Sequence, residues 1–262
     1  MIEKRLIFHF FIPSDYETNP AIGMHYRCLE KYHKVFDAAE FFISSTEESA
    51  KYTEDVKAKL FSIFKCKDIR IKEVENDEFY ESRTFKEQVI DRIAGFNGLV
   101  FFGHTKGVGD VNRFIDNMEN ILMWVYGLYF YSLEFMDEVM NKLVRGQMGM
   151  ASTMYGSFCQ TLDEKWTKAI YSGTFFWINA KSLADDIENG VIKVPRMANR
   201  FFDEEFPLVY DFNGCWGKLS SWDNNYTRQI DMYRYDIAEV TKMIGNYDNF
   251  IEGYNDIREK IL

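Results

Sequence analysis

The residues best equipped for chemistry follow an apolar run. Leu99–Phe102 (LVFF) has no polar alternation, as in a strand buried on both faces. The chain then turns polar and glycine-rich: Gly103, His104, Thr105, Lys106, Gly107, Gly109 and Asp110. A lysine and exposed backbone N–H groups in a glycine-rich loop suit the oxygens of a diphosphate. His104 is either a packed histidine that donates to a carbonyl or a ligand-binding group. A second stretch, YSGTFFWI, places Ser172, Gly173 and Thr174 before Phe175, Phe176 and Trp177. Gly173 permits close backbone approach, and a tryptophan offers a sugar a flat apolar face while its N–H bonds a hydroxyl. A plain hydrophobic strand with alternate aromatics inward accounts for Phe176 equally well. The two stretches are expected to face each other across one cleft. Asp203-Glu204-Glu205 before Phe206-Pro207 supplies either a carboxylate that accepts a proton from an attacking hydroxyl or a solvated acidic run. No His/Cys cluster has zinc spacing, and no Ser/His/Asp set stands out by motif.

The elements that must position these residues alternate between strand and helix patterns. Arg5–Ile12 reads as a strand stopped by Pro13, with Ser14 and Asp15 in the loop at its carboxyl end. Helical spacing over Ile22–Phe36, a strand at Ala39–Ile43, a helix over Thr53–Phe64 and a strand at Ile69–Val74 follow. After the acidic loop Glu75–Glu81, Ser82 or Arg83 begins a helix with Phe85, Val89, Ile90 and Ile93 on one face. This repetition predicts an α/β protein with a mostly parallel central sheet flanked by helices. Beyond the HTKG loop a long buried stripe starts at Val111, with a break near Gly127, and resumes at Phe135–Leu143. Short strands are expected at Gly149–Tyr155 and within Ala169–Asn179, then a helix over Lys181–Asn189 ended by Gly190, and a polar helical tail from about Tyr233.

Composition narrows the function classes. With 262 residues the chain can bury a large core, as one large domain or as one domain with a C-terminal addition. A net charge of −10 argues against general nucleic-acid binding, though one local basic pocket for a phosphorylated ligand is compatible with it. Aromatic residues make up 17% of the chain, which serves packing first and also sugar- or base-binding clefts. The four cysteines are scattered and form no CxxC pair, as expected of reduced thiols in a cytosol. The opening MIEKRLIFHFFIP lacks a signal-peptide pattern and no segment is long enough for a membrane span, so a cytoplasmic protein is expected.

Taken together and in order, ENDEFYESRTF, LVFFGHTKGVGD, the long helix with Trp124 and IYSGTFFWINAKSL resemble a group of bacterial and viral glycosyltransferase-like proteins. Those carry an asparagine-containing loop before a helix, a strand ending in a His-Thr-Lys pattern, and later a Ser-Gly-(Asn/Thr)-Phe-(Phe/Trp)-Trp segment. The resemblance spans about Val74–Leu183, with Glu204-Glu205 as an extension. It implies a GT-A-like fold, a nucleotide-diphosphate-sugar donor, a glycan or lipid-linked glycan acceptor and a role in surface polysaccharide synthesis. On that reading Pro13, Ser14, Asp15, Asn76, Glu81 and Thr84 flank the donor. His104, Thr105, Lys106 and Gly107 hold its diphosphate, with Lys106 stabilising the leaving group. Ser172, Gly173, Thr174, Phe175 and Trp177 shape the acceptor side, and Glu204 or Glu205 is the base if the reaction inverts the anomeric centre.

One departure matters. Metal-dependent members hold Mn²⁺ or Mg²⁺ through Asp-x-Asp after the fourth strand, and this sequence has no Asp-x-Asp. Either Asp110 joins His104 and another ligand around a metal, or Lys106 neutralises the diphosphate without one. Two other classes compete: a non-catalytic nucleotide- or glycan-binding or assembly protein of the same fold, and a nucleotidyltransferase. The latter predicts a glycine-rich basic loop after the first strand, which IPSDYETNP is not.

Overall fold

The computed structural model describes residues 2–77, 80–109, 111, 118–134, 137–145, 150–151, 155–159, 166–171, 175–190 and 246–261. The chain is an α/β protein built on a six-stranded mixed sheet. Strand β1 (Lys4–Ile12) leads through helix α1 (Pro20–Tyr32) to β2 (Ala38–Ser45). Helix α2 (Thr53–Ile63), β3 (Asp68–Glu73), α3 (Tyr80–Gln88) and β4 (Leu99–His104) follow. Then come α4 (Met118–Leu133), α5 (Asp137–Val144), β5 (Met150–Ala151), β6 (Tyr155–Cys159), β7 (Trp166–Tyr171), β8 (Phe176–Asn179), α6 (Ala180–Glu188) and a helix near the end, α7 (Tyr247–Arg258). The sheet order is β3-β2-β1-β4-β8-β5, and β6 and β7 form a separate antiparallel pair. The first four strands are parallel, whereas β8 runs antiparallel to both β4 and β5.

The period of two along β1 and β4 divides the core. Leu6, Phe8 and Phe10 of β1 and Leu99 and Phe101 of β4 face one layer, formed with α1, α2, α4 and α7. Ile7 of β1 and Val100 and Phe102 of β4 face the other, formed with α3 and α6. Both faces of β1 are therefore covered, which explains RLIFHFFI: a strand between two helix layers has no solvent side to encode. Edge strand β3 alternates between exposed and half-buried residues instead.

Several expected boundaries move for local reasons. Helix α1 starts at Pro20 rather than Ile22, because the Asn19 side chain caps it by accepting from the Ala21 N–H at 3.0 Å and proline fits the first turn. Helix α4 passes through Gly127 without the expected break. Its residues from Ile121 to Ser132 are all buried, and that burial outweighs the roughly 1 kcal/mol a helical glycine costs. The strand expected within Ala169–Asn179 is two strands, β7 and β8, which belong to different sheets. The tail helix is described from Tyr247, and the segment between Gly190 and Asn246 lies outside the described residues.

A larger difference concerns the two stretches expected to face each other across a cleft. They lie side by side: Phe101 is in register with Trp177 and Phe102 with Phe176, in the antiparallel β4–β8 pair. Phe175 and Trp177 are 0% and 1% exposed, and the Trp177 indole N–H donates to the Ser132 carbonyl at 2.8 Å. Their rings carry no open face for a sugar. The acceptor-side role expected of Phe175 and Trp177 gives way to packing against α4, because β4 and β8 share one sheet. No helix among the described residues is long and apolar enough to cross a membrane.

Candidate functional site

The connection after β1 runs through α1 on one face of the sheet, and the one before β4 runs through α3 on the other. The carboxyl ends of the neighbouring strands β1 and β4 thus flank a topological switch point, where open α/β sheets leave a crevice. Pro13–Asp15 leaves one side and His104–Gly107 the other.

Four hydrogen bonds hold the His104–Val108 segment. The Thr105 N–H donates to the His9 carbonyl at 3.1 Å, and the Thr105 hydroxyl accepts from the Phe11 N–H at 2.8 Å. Thr105 is 4% exposed, so its side chain is a clamp between β4 and β1, and with its N–H given to His9 and its hydroxyl to Phe11 it has no donor left for a ligand. Asn19 donates to the Val108 carbonyl and to the Asp15 carboxylate, both at 2.9 Å, which ties the loop after β1 to the loop after β4. From α1, His25 reaches the Lys106 carbonyl at 2.8 Å. Gly107 adopts φ +84°, and a Cβ there would stand 2.9 Å from Ile121 Cγ2 of α4, so the turn requires glycine twice over. Gly103 also matters: a Cβ would lie 3.1 Å from the Phe8 ring and 3.2 Å from the Phe175 ring.

Two charged side chains emerge from this scaffold. The Lys106 ammonium lies 4.9 Å from the centre of the Trp124 ring, a cation–π contact, and no carboxylate among the described residues pairs with it. The Glu81 carboxylate, 29% exposed, lies 3.8 Å from His104 Nδ1. Burial raises the Glu81 pKa, but the charges of His104 and Lys106 outweigh it, so the carboxyl sits below the usual carboxylate range and is ionised at neutral pH.

Beneath Glu81 runs a buried polar chain. His9 Nδ1 shares a hydrogen bond of 2.8 Å with the Thr84 hydroxyl, and His9 Nε2 one of 2.9 Å with the Ser44 hydroxyl. Burial drives the His9 pKa down to about 4, against the pull of Glu81 and Asp77 and with the help of His104, so its ring is neutral at pH 7. Thr84, 4% exposed, bonds inward to His9 rather than outward. At this end of the sheet, Ser14 and Asn76 are exposed, Asp15 is half-buried and Pro13 is buried. Asp77 pairs with Arg83 at 2.7 Å.

No family model matches this chain. No curated protein matches it either.

The expected site residues therefore divide. Pro13, Ser14, Asp15, Glu81, Thr84, His104, Thr105, Lys106 and Gly107 belong to elements that meet at the carboxyl ends of β1 and β4, and Asn76 follows β3 at the same end of the sheet. Phe175 and Trp177 are core. Asp110, Ser172, Gly173, Thr174, Glu204 and Glu205 lie outside the described residues. The sequence assigns no site role to Asn19, His9, His25, Ser44 or Tyr129. Two signals were present: His9 interrupts an otherwise apolar strand, and Asn19-Pro20 is a helix-start pair.

For Mn²⁺ or Mg²⁺, which prefer several oxygen ligands, the described cluster offers one carboxylate, Glu81, beside an imidazole and an ammonium. Among the described residues no group of three or more His, Cys, Asp or Glu is placed to hold a metal ion. The described residues do not fit such an ion.

Proposed function

We propose that this chain is a glycosyltransferase that moves a sugar from a nucleotide-diphosphate donor to a hydroxyl of a glycan or lipid-linked glycan, within the cytoplasm and in surface polysaccharide synthesis. The observation that carries the reading is the Lys106 ammonium, without a carboxylate partner among the described residues, on a glycine-dependent loop at the switch point between β1 and β4. Such crevices take nucleotides, and a cation held there suits a diphosphate better than a neutral sugar. The parallel β3-β2-β1-β4 order and the antiparallel strand beside β4 support a GT-A-like arrangement.

In the proposed reaction the bond between the anomeric carbon and the donor phosphate oxygen breaks, and its electron pair stays on that oxygen. Lys106 meets the charge that develops there. The acceptor hydroxyl bonds to the anomeric carbon and loses its proton. In an inverting enzyme the carboxylate of Glu204 or Glu205 takes that proton. Glu81 lies beside His104, and its negative charge offsets part of the positive charge of Lys106.

Melting curves with UDP-, GDP-, dTDP- and CMP-sugars, each with and without Mn²⁺, test the proposal. A donor that binds only the folded chain raises the melting temperature by mass action. A selective shift is expected, and its dependence on Mn²⁺ decides the metal question. If no nucleotide shifts the transition in either condition, the transferase reading falls and a binding or assembly role replaces it.

A further inference from the structure

We infer that His25 is a positioning residue for the anion grip of this crevice: it holds the Lys106–Gly107 peptide so that the Gly107 N–H joins the Lys106 ammonium as a second donor. The inference rests on the diphosphate reading of Lys106 and adds a residue to it.

His25 lies on α1, is 0% exposed and uses both ring nitrogens. Nε2 is 2.8 Å from the Lys106 carbonyl oxygen, and Nδ1 is 2.8 Å from the Tyr129 hydroxyl of α4. A carbonyl only accepts, so Nε2 carries the hydrogen. In the neutral ring Nδ1 must then accept, and Tyr129 donates to it. Chemistry thus selects one tautomer. Burial keeps the ring neutral, with a pKa lowered to about 3, and pushes the Tyr129 phenol well above its ordinary value, so neither group changes its role across neutral pH.

The consequence follows from the planarity of the peptide bond. In a trans peptide the C=O and the following N–H point in opposite directions. Because the Lys106 carbonyl faces His25 in the core, the Gly107 N–H faces away from it. That N–H donates to no acceptor among the described residues, while those of Thr105 and Lys106 are taken by the carbonyls of His9 and His104. The positive φ of Gly107 sustains the turn. Phe8 meets the His25 ring edge-on at 6.0 Å, and Phe175 packs on Tyr129 at 5.0 Å, so the imidazole has little room to rotate. A hydrophobic side chain would fill that space without the cost of burying two polar groups. The polar pair orients the loop instead.

The experiment is calorimetric titration of inorganic pyrophosphate and of UDP into the full chain, together with hydrogen exchange of the segment 104–109. The variants are His25→Leu, His25→Gln, Tyr129→Phe and Lys106→Ala. Glutamine keeps an N–H near the position of Nε2, and Tyr129→Phe keeps the ring while removing the hydroxyl that fixes His25. We expect His25→Leu to weaken pyrophosphate binding at least tenfold and to speed exchange in 104–109. His25→Gln should stay within about threefold of wild type, and Tyr129→Phe should fall between. In the Lys106→Ala background the His25→Leu loss should shrink, since the two residues serve one grip. Folded His25→Leu with wild-type affinity, or with unchanged exchange in 104–109, overturns the inference. Equal losses with and without Lys106 overturn it as well, because they mark a merely structural histidine. If His25→Leu does not fold, Tyr129→Phe decides by the same two readouts. Absence of any binding to wild type defeats the diphosphate reading itself, and the exchange data then judge the His25 anchor separately.

Discussion

Lys106 has a role that can be weighed at the level of a single side chain. Its ammonium rests over Trp124 and forms no ion pair among the described residues; Glu81 feels its charge without contacting it, which leaves the ammonium open to an anionic leaving group. Lys106→Ala should leave the melting temperature of the free protein within a degree or two and lower turnover about 100-fold, the size of effect seen when one donor to a developing oxyanion is removed. Steady-state rates on whichever donor the ligand screen selects check this. Glu205→Ala should lower turnover while leaving donor affinity unchanged; wild-type rates would remove that residue from the proposed reaction. The two buried histidines make a separate prediction about pH. In the unfolded chain each titrates near 6.5, whereas in the folded chain His9 falls to about 4 and His25 to about 3. Between about pH 6 and pH 4 the unfolded state therefore binds more protons. Stability contributed by the neutral rings, full above pH 6.5, is lost as pH falls, at about 1.4 kcal/mol per pH unit for each histidine. Glu81 and Asp77 pull the His9 pKa up and the Lys106 carbonyl does the same for His25, while His104 pushes both down; burial outweighs the upward pull in each case. Urea midpoints across pH 4–8 should show the decline, and His9→Gln should flatten part of it.

At the level of elements, the site depends on loops made rigid by their neighbours. Asn19 caps α1 and also bonds Asp15 and Val108, so one side chain joins a helix start to two loops. Asn19→Ala should cost more than the roughly 1 kcal/mol of an ordinary cap, nearer 2 kcal/mol, because the buried Val108 carbonyl also loses its partner. The urea midpoint measures it. Gly107→Ala meets both a left-handed backbone and the Ile121 side chain, and it should destabilise the chain by about 1–3 kcal/mol while weakening donor binding. Gly109, around which a Cβ would meet nothing within 4 Å, should tolerate alanine with an effect under about 0.5 kcal/mol. A contrast between these two glycines in one melting series would separate conformational need from mere loop composition.

The whole molecule is arranged so that two helix layers clamp a central pair of strands. Phe8, Phe101, Phe175 and Trp177 on one side and Phe85, Phe102 and Phe176 on the other form aromatic contacts across the β1–β4–β8 region. Amides of β1 and β4 should exchange most slowly and those of edge strand β3 faster, a ranking that hydrogen-exchange mass spectrometry can check. The β–α alternation through β4, the burial of β1 and the packed stripe of α4 were legible in the sequence, because local periodicity reports which faces are covered. That Pro13–Asp15 and the HTKG loop lie at one edge of the sheet was implied by the resemblance, and the parallel β1–β4 pairing brings their carboxyl ends to that edge. The partners of His9 and His25 were not legible. Thr84 lies 75 residues from His9, and Lys106 and Tyr129 lie 81 and 104 residues from His25, and no local pattern encodes such pairings.

By itself the sequence determined the α/β class, the strands that are buried on both faces and the loop that carries His104 and Lys106, because hydrophobic period and glycine placement act over a few residues. Only the tertiary structure decided that β8 pairs antiparallel beside β4, which turned Phe175 and Trp177 from cleft residues into core. It also decided that Thr84 and Thr105 spend their hydroxyls inside the protein, and that His25 grips the Lys106 carbonyl. The physical reason is the same in each case: a polar group or an aromatic ring takes its role from what surrounds it, and those surroundings come from segments distant along the chain.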